Sequence, residues 1–299
     1  MKSSTPVSHS SKNKRFNAEK PNTLLNFLFE SLNNESKTTV KSLLTHKQIS
    51  VNGHLVTQFD LPLKPGDEID VFFDKSAIPF SHPLLNILYE DQSLIVINKM
   101  SGLLSMSSER DKEKTAYRIL SDHVKKTTPH SCVFILHRLD RDTSGVMMFA
   151  KSQEVQEILQ KNWDQMILER KYVAVVEGQL EKEFGQIKSY VAENSAYIVH
   201  KATAETGKLA ITNYKVLKVG QGCSLVELEL ETGRKNQIRV HLQELGHPVV
   251  GDKKYGATSN PIHRLALHAF KLRFIHPLTR EEMNFELPIP NRFKLLLKH

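Results

Sequence analysis

Ile135-Leu136-His137-Arg138-Leu139-Asp140-Arg141-Asp142-Thr143-Ser144-Gly145-Val146-Met147-Met148-Phe149-Ala150-Lys151 decides how this chain is read, because the stretch changes character halfway. A polar, charged, glycine-terminated segment runs into the apolar Val146-Met147-Met148-Phe149-Ala150, so Asp140 is predicted to sit on a loop held by a strand. A loop mounted on a rigid sheet edge is where reactive groups are displayed. On residue types alone, Arg138, Asp140, Arg141 and Asp142 also fit a structural ion-pair loop. The Asp140 and Asp142 pair raises a third reading, a glycoside hydrolase. That reading conflicts with spacing: glycosidase carboxylates flank a sugar from opposite sides, and two residues on one loop rarely face across a cleft.

Outward from this segment the pattern is that of a mixed α+β domain with mainly antiparallel strands. Upstream, residues 86–98 give an apolar strand, an Asp91-Gln92-Ser93 turn and a second apolar strand, Leu94-Ile95-Val96-Ile97, ending at Lys99. Downstream, Ser152 is placed to cap a helix carrying Val155, Ile158 and Leu159. Lys171-Tyr172-Val173-Ala174-Val175-Val176-Glu177-Gly178 reads as another strand. Val226, Leu228 and Leu230 alternate with Glu227, Glu229 and Glu231, a strand with one buried and one wet face. Ile238, His241, Leu242 and Leu245 then share a helix face before Gly246. Residues 85–299 are assigned to this larger domain.

Residues 74–84 hold prolines and little periodicity and read as a linker. Before them, residues 22–73 form a small α/β module. Leu24, Leu25, Phe27, Leu28 and Leu32 recur at helical spacing, followed by a second helix with Val40, Leu43 and Leu44. Asn52-Gly53 between alternating apolar residues predicts a tight hairpin, and Pro65-Gly66-Asp67 turns the chain into a strand with Ile69 and Val71. The first 21 residues carry Lys2, Lys12, Lys14, Arg15 and Lys20 against Glu19 alone and are expected to be a disordered basic tail.

The nine residues from His137 to Gly145 resemble the signature of the RluA-type pseudouridine synthases. Leu88-Tyr89-Glu90-Asp91, Ile97-Asn98-Lys99 and Gly102-Leu103 resemble the family's opening strand pair, with Met100 where a proline is usual. Thr232-Gly233-Arg234-Lys235-Asn236-Gln237-Ile238-Arg239-Val240-His241 is similar to the segment carrying a basic active-site residue, with Asn236 replacing a common histidine. Gly251-Asp252-Lys253-Lys254-Tyr255-Gly256 and Arg264-Leu265-Ala266-Leu267-His268-Ala269 resemble the closing loop and strand. The resemblance spans about residues 86–290. It implies Asp140 as the catalytic nucleophile, Arg239 as its cationic partner and Tyr172 as the tyrosine beside the base. It also implies that Arg138 fills the gap left by a flipped base, with His137, Arg234 and Gln237 among the RNA contacts. Residues 22–73 resemble the S4-like RNA-binding module, whose second helix and following loop face RNA; here those positions offer Lys37, Lys41, Lys47 and Gln48. The implied reaction is redox-neutral and needs no cofactor, and no metal is expected. This agrees with a sequence holding no Walker-type loop, dinucleotide fingerprint or metal-ligand spacing.

Composition fits these expectations. The 299 residues carry a formal charge of +8, and a pI near 9.3 biases the chain toward an anionic partner. The expected partner is RNA, ribosomal RNA ahead of transfer RNA because S4-like modules accompany this catalytic domain in enzymes of the large ribosomal subunit. Cys132 and Cys223 are too few for a disulfide framework or a cysteine-rich zinc site. No apolar run approaches the roughly 18 residues of a membrane span. The sequence therefore predicts a cytoplasmic, membrane-free protein, and a monomer is expected.

Overall fold

The computed structural model describes residues 13–73, 80–107 and 115–298. The chain divides into two compact units, Met1–Ser81 and His82–His299. No helix among the described residues is long and apolar enough to cross a membrane.

The first unit comprises β1 (Lys14–Asn17), β2 (Asn22–Thr23), α1 (Leu24–Ser31), α2 (Lys37–Thr45), β3 (Ile49–Val51), β4 (His54–Leu55), β5 (Pro62–Leu63) and β6 (Glu68–Val71). Leu24, Leu28, Val40, Leu44, Ile49, Ile69 and Val71 are fully buried and make its core. The Ser36 hydroxyl caps α2 by accepting the Thr39 amide at 3.0 Å. Asn52 and Gly53 both take positive φ, 50° and 77°, as the two-residue turn between β3 and β4 requires. One expectation needs correction. Residues 14–17, assigned to a disordered tail, pair as β1 with β6, and Ala18 is buried. Phe16 and Ala18 supply apolar side chains inside a lysine-rich stretch, and an open edge of β6 was available to pair with it. Residues 1–12 of that tail and residues 74–79 of the expected linker lie outside the described residues.

The second unit is built on β7 (Leu85–Glu90), β8 (Leu94–Lys99), α3 (Ala116–Thr127), β9 (Phe134–Ile135), β10 (Ser144–Ala150), α4 (Gln153–Lys161), α5 (Trp163–Met166), β11 (Ile167–Glu177), β12 (Phe184–Glu193), β13 (Val199–Ala202), β14 (Lys208–Val219), β15 (Cys223–Leu230), α6 (Gln237–Glu244), β16 (Leu267–Ile275), β17 (Glu282–Glu286) and α7 (Asn291–Leu296). One sheet runs β13-β12-β14-β15-β11-β16-β10-β8-β7, with β17 on β16 and β9 on β10. All its pairings are antiparallel except the short contact of β10 with β16, which makes the domain the α+β type expected. At that parallel contact Gly145 has φ +124°, and a Cβ there would lie 2.0 Å from the Ala269 carbonyl oxygen. Only glycine permits so close an approach. β10 is buried along its whole length, between β16 on one side and β8 on the other, and it anchors the loop before it. Val173, Val175, Leu228, Ile238 and Leu242 pack one core cluster; Val96, Met148, Leu159 and Phe274 pack another. Ser152 caps α4 as its sequence position indicates, accepting the Val155 amide at 3.2 Å.

Candidate active site

The loop between β9 and β10 is fastened from below by residues 99–105. The Lys99 ammonium, fully buried, donates to the carbonyls of Leu103 at 2.8 Å, Arg141 at 3.1 Å and Met100 at 3.2 Å. The Ser105 hydroxyl donates to the Leu139 carbonyl at 2.7 Å and accepts the Leu139 amide at 3.1 Å. Ser101 donates to the Asp142 carbonyl at 2.8 Å. The Gly102 amide reaches the Arg141 carbonyl at 2.9 Å. With Leu139 buried, the backbone is tied on both sides of Asp140. Burial lowers the pKa of Lys99 to about 7, against the pull of Asp142 and Asp140. Met100 gives the departure from the usual proline a local role, since its amide donates to the Leu84 carbonyl at 2.9 Å and a proline has no N–H to give.

Above this base, the Asp140 carboxylate accepts from Arg239 Nη1 at 3.3 Å. The stronger hold on Arg239 comes from elsewhere. Asp252, its side chain 1% exposed, takes Nε at 2.6 Å and Nη2 at 2.7 Å, a bidentate grip. Asn236 Oδ1 accepts Nη1 at 3.2 Å, while its Nδ2 donates to the Tyr255 hydroxyl at 2.9 Å. The guanidinium lies 4.8 Å from the Tyr255 ring centroid. Burial opposes the charge on Arg239, but Asp252 and Asp140 outweigh it and raise the pKa above the ordinary arginine value. Asn236 stands in the left-handed region, φ 52°, at the start of α6. Asparagine tolerates that conformation, and its side chain helps hold Arg239 in place.

Asp140 and Arg239 open on a cleft of about 550 Å³ that Tyr172, His137, Arg138, Trp163, Arg170, Arg234, Lys235 and Gln237 also line. That volume suits a small organic ligand or one nucleotide. Tyr172 projects from β11; burial, opposed by Arg170 and assisted by Asp140, pushes its pKa up to about 12, so the phenol is protonated at neutral pH. Arg138 is exposed at the cleft. Arg234 also lines the cleft and spends its Nε on the Leu209 carbonyl at 2.9 Å. Two expected RNA contacts are committed inward instead. His137 Nε2 accepts the Met148 amide at 3.1 Å, and burial with the nearby Arg170 lowers its pKa to about 3, so it is a neutral wall residue. Gln237, 2% exposed, has its amide oxygen on Thr232 and the Arg234 amide and its nitrogen on Ile211 and Thr212. It fixes the turn into α6 and has no free edge for a nucleotide.

In the first unit Lys41 and Lys47 are exposed. Gln48, expected beside them, is buried and donates to the Phe72 carbonyl at 2.7 Å. Asp142 is exposed and points no carboxylate into the cleft lining, so the loop lacks the facing acid pair that a glycosidase needs. Among the described residues no three His, Cys, Asp or Glu side chains are grouped to hold a metal ion. Sequence reasoning assigned no part to Asp252 or Lys99. Both lie in segments that the resemblance covers, but neither residue type signals burial by itself.

Comparison with known proteins fits this geometry. Residues 93–244 match the family model described as RNA pseudouridylate synthase. The chain is 36% identical over 269 residues to the uncharacterized RNA pseudouridine synthase YhcT of Bacillus subtilis (strain 168), covering 88% of both chains. It is 35% identical over 240 residues to the ribosomal large subunit pseudouridine synthase D of Nitrosomonas europaea, covering 77% of this chain and 68% of that one. Among solved structures, human RNA pseudouridylate synthase domain containing 4 superimposes with a TM-score of 0.58 at 26% identity, over 70% of this chain and 90% of that one. A rigid loop carboxylate set against a braced arginine, in a chain this similar to these relatives, places the protein in the RluA-type family of RNA pseudouridine synthases.

Proposed function

We propose that this enzyme isomerises specific uridines of large-subunit ribosomal RNA, with Asp140 as nucleophile and Arg138 taking the place of the flipped base. The observation that carries the assignment is the Asp140 carboxylate facing the cleft, 3.3 Å from a guanidinium that Asp252 holds on two further nitrogens. The ribosomal target is supported by relatives named as synthases of the large ribosomal subunit.

The reaction breaks the bond between ribose C1′ and the base nitrogen N1, turns the base, and joins C1′ to C5. C5 loses a proton, N1 gains one, and no electrons enter or leave. A carboxylate serves here because it is nucleophilic and leaves again once the new bond is ready. Arg239 keeps that carboxylate aimed. Tyr172 packs beside the base, and being protonated at neutral pH it acts as a donor in the resting enzyme. The walls of the cleft retain the freed base while it turns. A flipped base leaves its stack at a cost of a few kcal/mol. The flat guanidinium of Arg138, exposed at the cleft, is suited to fill the vacated space and to stack on neighbouring bases. The first unit, with Lys41 and Lys47, adds sequence-independent attraction to phosphate in the manner of an S4-like module.

The test is to incubate the protein with total RNA from cells lacking it and to map pseudouridine by chemical adduct sequencing. New sites in large-subunit ribosomal RNA are expected. Sites in transfer RNA alone would overturn the target.

A further inference from the structure

Next to the cleft, the turn from β12 to β13 presents an aromatic ring that the fold does not use. Tyr197 is 69% exposed, so its ring contributes little to the core. Its backbone is nevertheless held firmly. Asn194 Oδ1 accepts the amides of Ala196 at 3.0 Å and Ile198 at 2.9 Å, and the Tyr197 amide donates to the Asn194 carbonyl at 2.9 Å. Tyr197 has φ 60°, a conformation unfavourable for a bulky residue. The turn therefore fixes the backbone that carries this ring.

One ammonium group lies over the ring and a second is bonded to the backbone of its turn. Lys235 lies 5.6 Å from the ring centroid and also lines the cleft. Lys254 donates to the Tyr197 carbonyl at 3.0 Å and lies 5.8 Å from the ring of Tyr255, on which Arg239 stacks. Lys235 is partly neutralised by an ion pair with Glu193. Among the described residues no carboxylate lies within ion-pair reach of Lys254. A chain of contacts thus leads from Asp140 through Arg239, Tyr255 and Lys254 to the Tyr197 carbonyl. An exposed ring with one ammonium over it and another on its own turn is complementary to a base and its phosphate, and only an unstacked base can reach such a ring.

We infer that Tyr197, Lys235 and Lys254 form a subsite for an unpaired nucleotide flanking the target uridine, the base stacking on Tyr197 and the phosphate held by the lysines. This deepens the reading that RNA enters the cleft and rests on it.

The test compares Tyr197→Asn, which removes the ring but tolerates the left-handed backbone, with Tyr197→Phe, which keeps the ring. The probes are a fluorescein-labelled oligouridylate and an RNA duplex of equal length, followed by anisotropy. Trp163, the single tryptophan of the chain, lines the cleft and gives a second readout through its fluorescence. Loss of one base stack is expected to weaken oligouridylate binding by Tyr197→Asn about tenfold. Tyr197→Phe should bind as wild type, and duplex affinity should not change in either variant. Lys254→Met should reduce the salt slope for oligouridylate by about 0.7. Wild-type oligouridylate affinity in Tyr197→Asn would overturn the subsite, and so would an equal loss for duplex. Failure of the ribosomal-target reading would look different: Tyr197→Asn would still bind oligouridylate weakly, while mapped pseudouridines fell outside large-subunit RNA.

Discussion

The loop that carries Asp140 and the helix-to-strand turn that carries Lys47 both present charge to solvent, but the fold treats them differently. Around Asp140 the backbone is tied through Lys99, Ser101, Gly102 and Ser105 on one side, and Arg239 is gripped by Asp252 and Asn236 on the other. Lys41 and Lys47 stand exposed, with no ion pair to a carboxylate among the described residues. The difference matches what the proposed function asks of each charge. Forming and breaking bonds at one carbon needs a carboxylate placed to a fraction of an ångström, because an error near 1 Å costs about 100-fold in rate. Attraction to a polyanion needs only proximity, and long mobile side chains provide it. Substitutions near Asp140 should therefore act on kcat, and substitutions in the first unit on KM and its salt dependence.

The sharpest way to break this contrast is Arg239→Lys. It preserves charge but loses the planar fork that Asp252 and Asp140 share, and kcat is expected to fall about 100-fold or more in single-turnover measurements. A variant that lost only KM would erase the distinction between the two regions. Asp252→Asn comes next. It leaves Arg239 without its buried counter-charge, so stability should drop by about 3 kcal/mol in urea titration, with a roughly tenfold fall in kcat as the guanidinium drifts. Smaller still is Lys99→Met, which removes the donor to three carbonyls and should cost about 1–3 kcal/mol. Its pH dependence has a defined sign. The folded-state pKa near 7 lies below the unfolded lysine value of 10.5. Between those values the unfolded chain binds more protons, and wild-type stability gains from Lys99 as pH rises. The gap between wild type and Lys99→Met should widen from pH 7 to pH 10, and a gap that narrowed would refute the buried, depressed lysine. The smallest effect belongs to Lys41→Ala combined with Lys47→Ala. The salt slope of RNA binding should fall by about 1–2 with kcat unchanged.

Much of this was legible in local sequence. The apolar run of β10 after a charged loop, the Asn52-Gly53 turn and the Ser152 cap all state their structure within a few residues. The juxtaposition of Asp140, Tyr172 and Arg239 came through a resemblance, because no local rule links residues so far apart in the chain. What stayed hidden depended on burial and long-range pairing. Lys99, Gln48 and Gln237 are polar residue types that patterning assigns to the surface, yet each is buried because carbonyls or hydroxyls from distant segments satisfy it. β1 was missed because a strand of four residues rich in charge is recognisable only once its partner edge on β6 is known.

In the proposed reaction Asp140 itself attacks the substrate. The most direct measurement is single-turnover pseudouridine formation by Asp140→Asn on the RNA that wild type modifies, with binding of the same RNA measured in parallel. The substitution preserves size and a hydrogen bond to Arg239 but removes the proposed nucleophile. Formation should fall by at least about 10⁴-fold while RNA affinity stays close to wild type. Asp140→Asn forming pseudouridine at the wild-type rate would rule out Asp140 as the nucleophile.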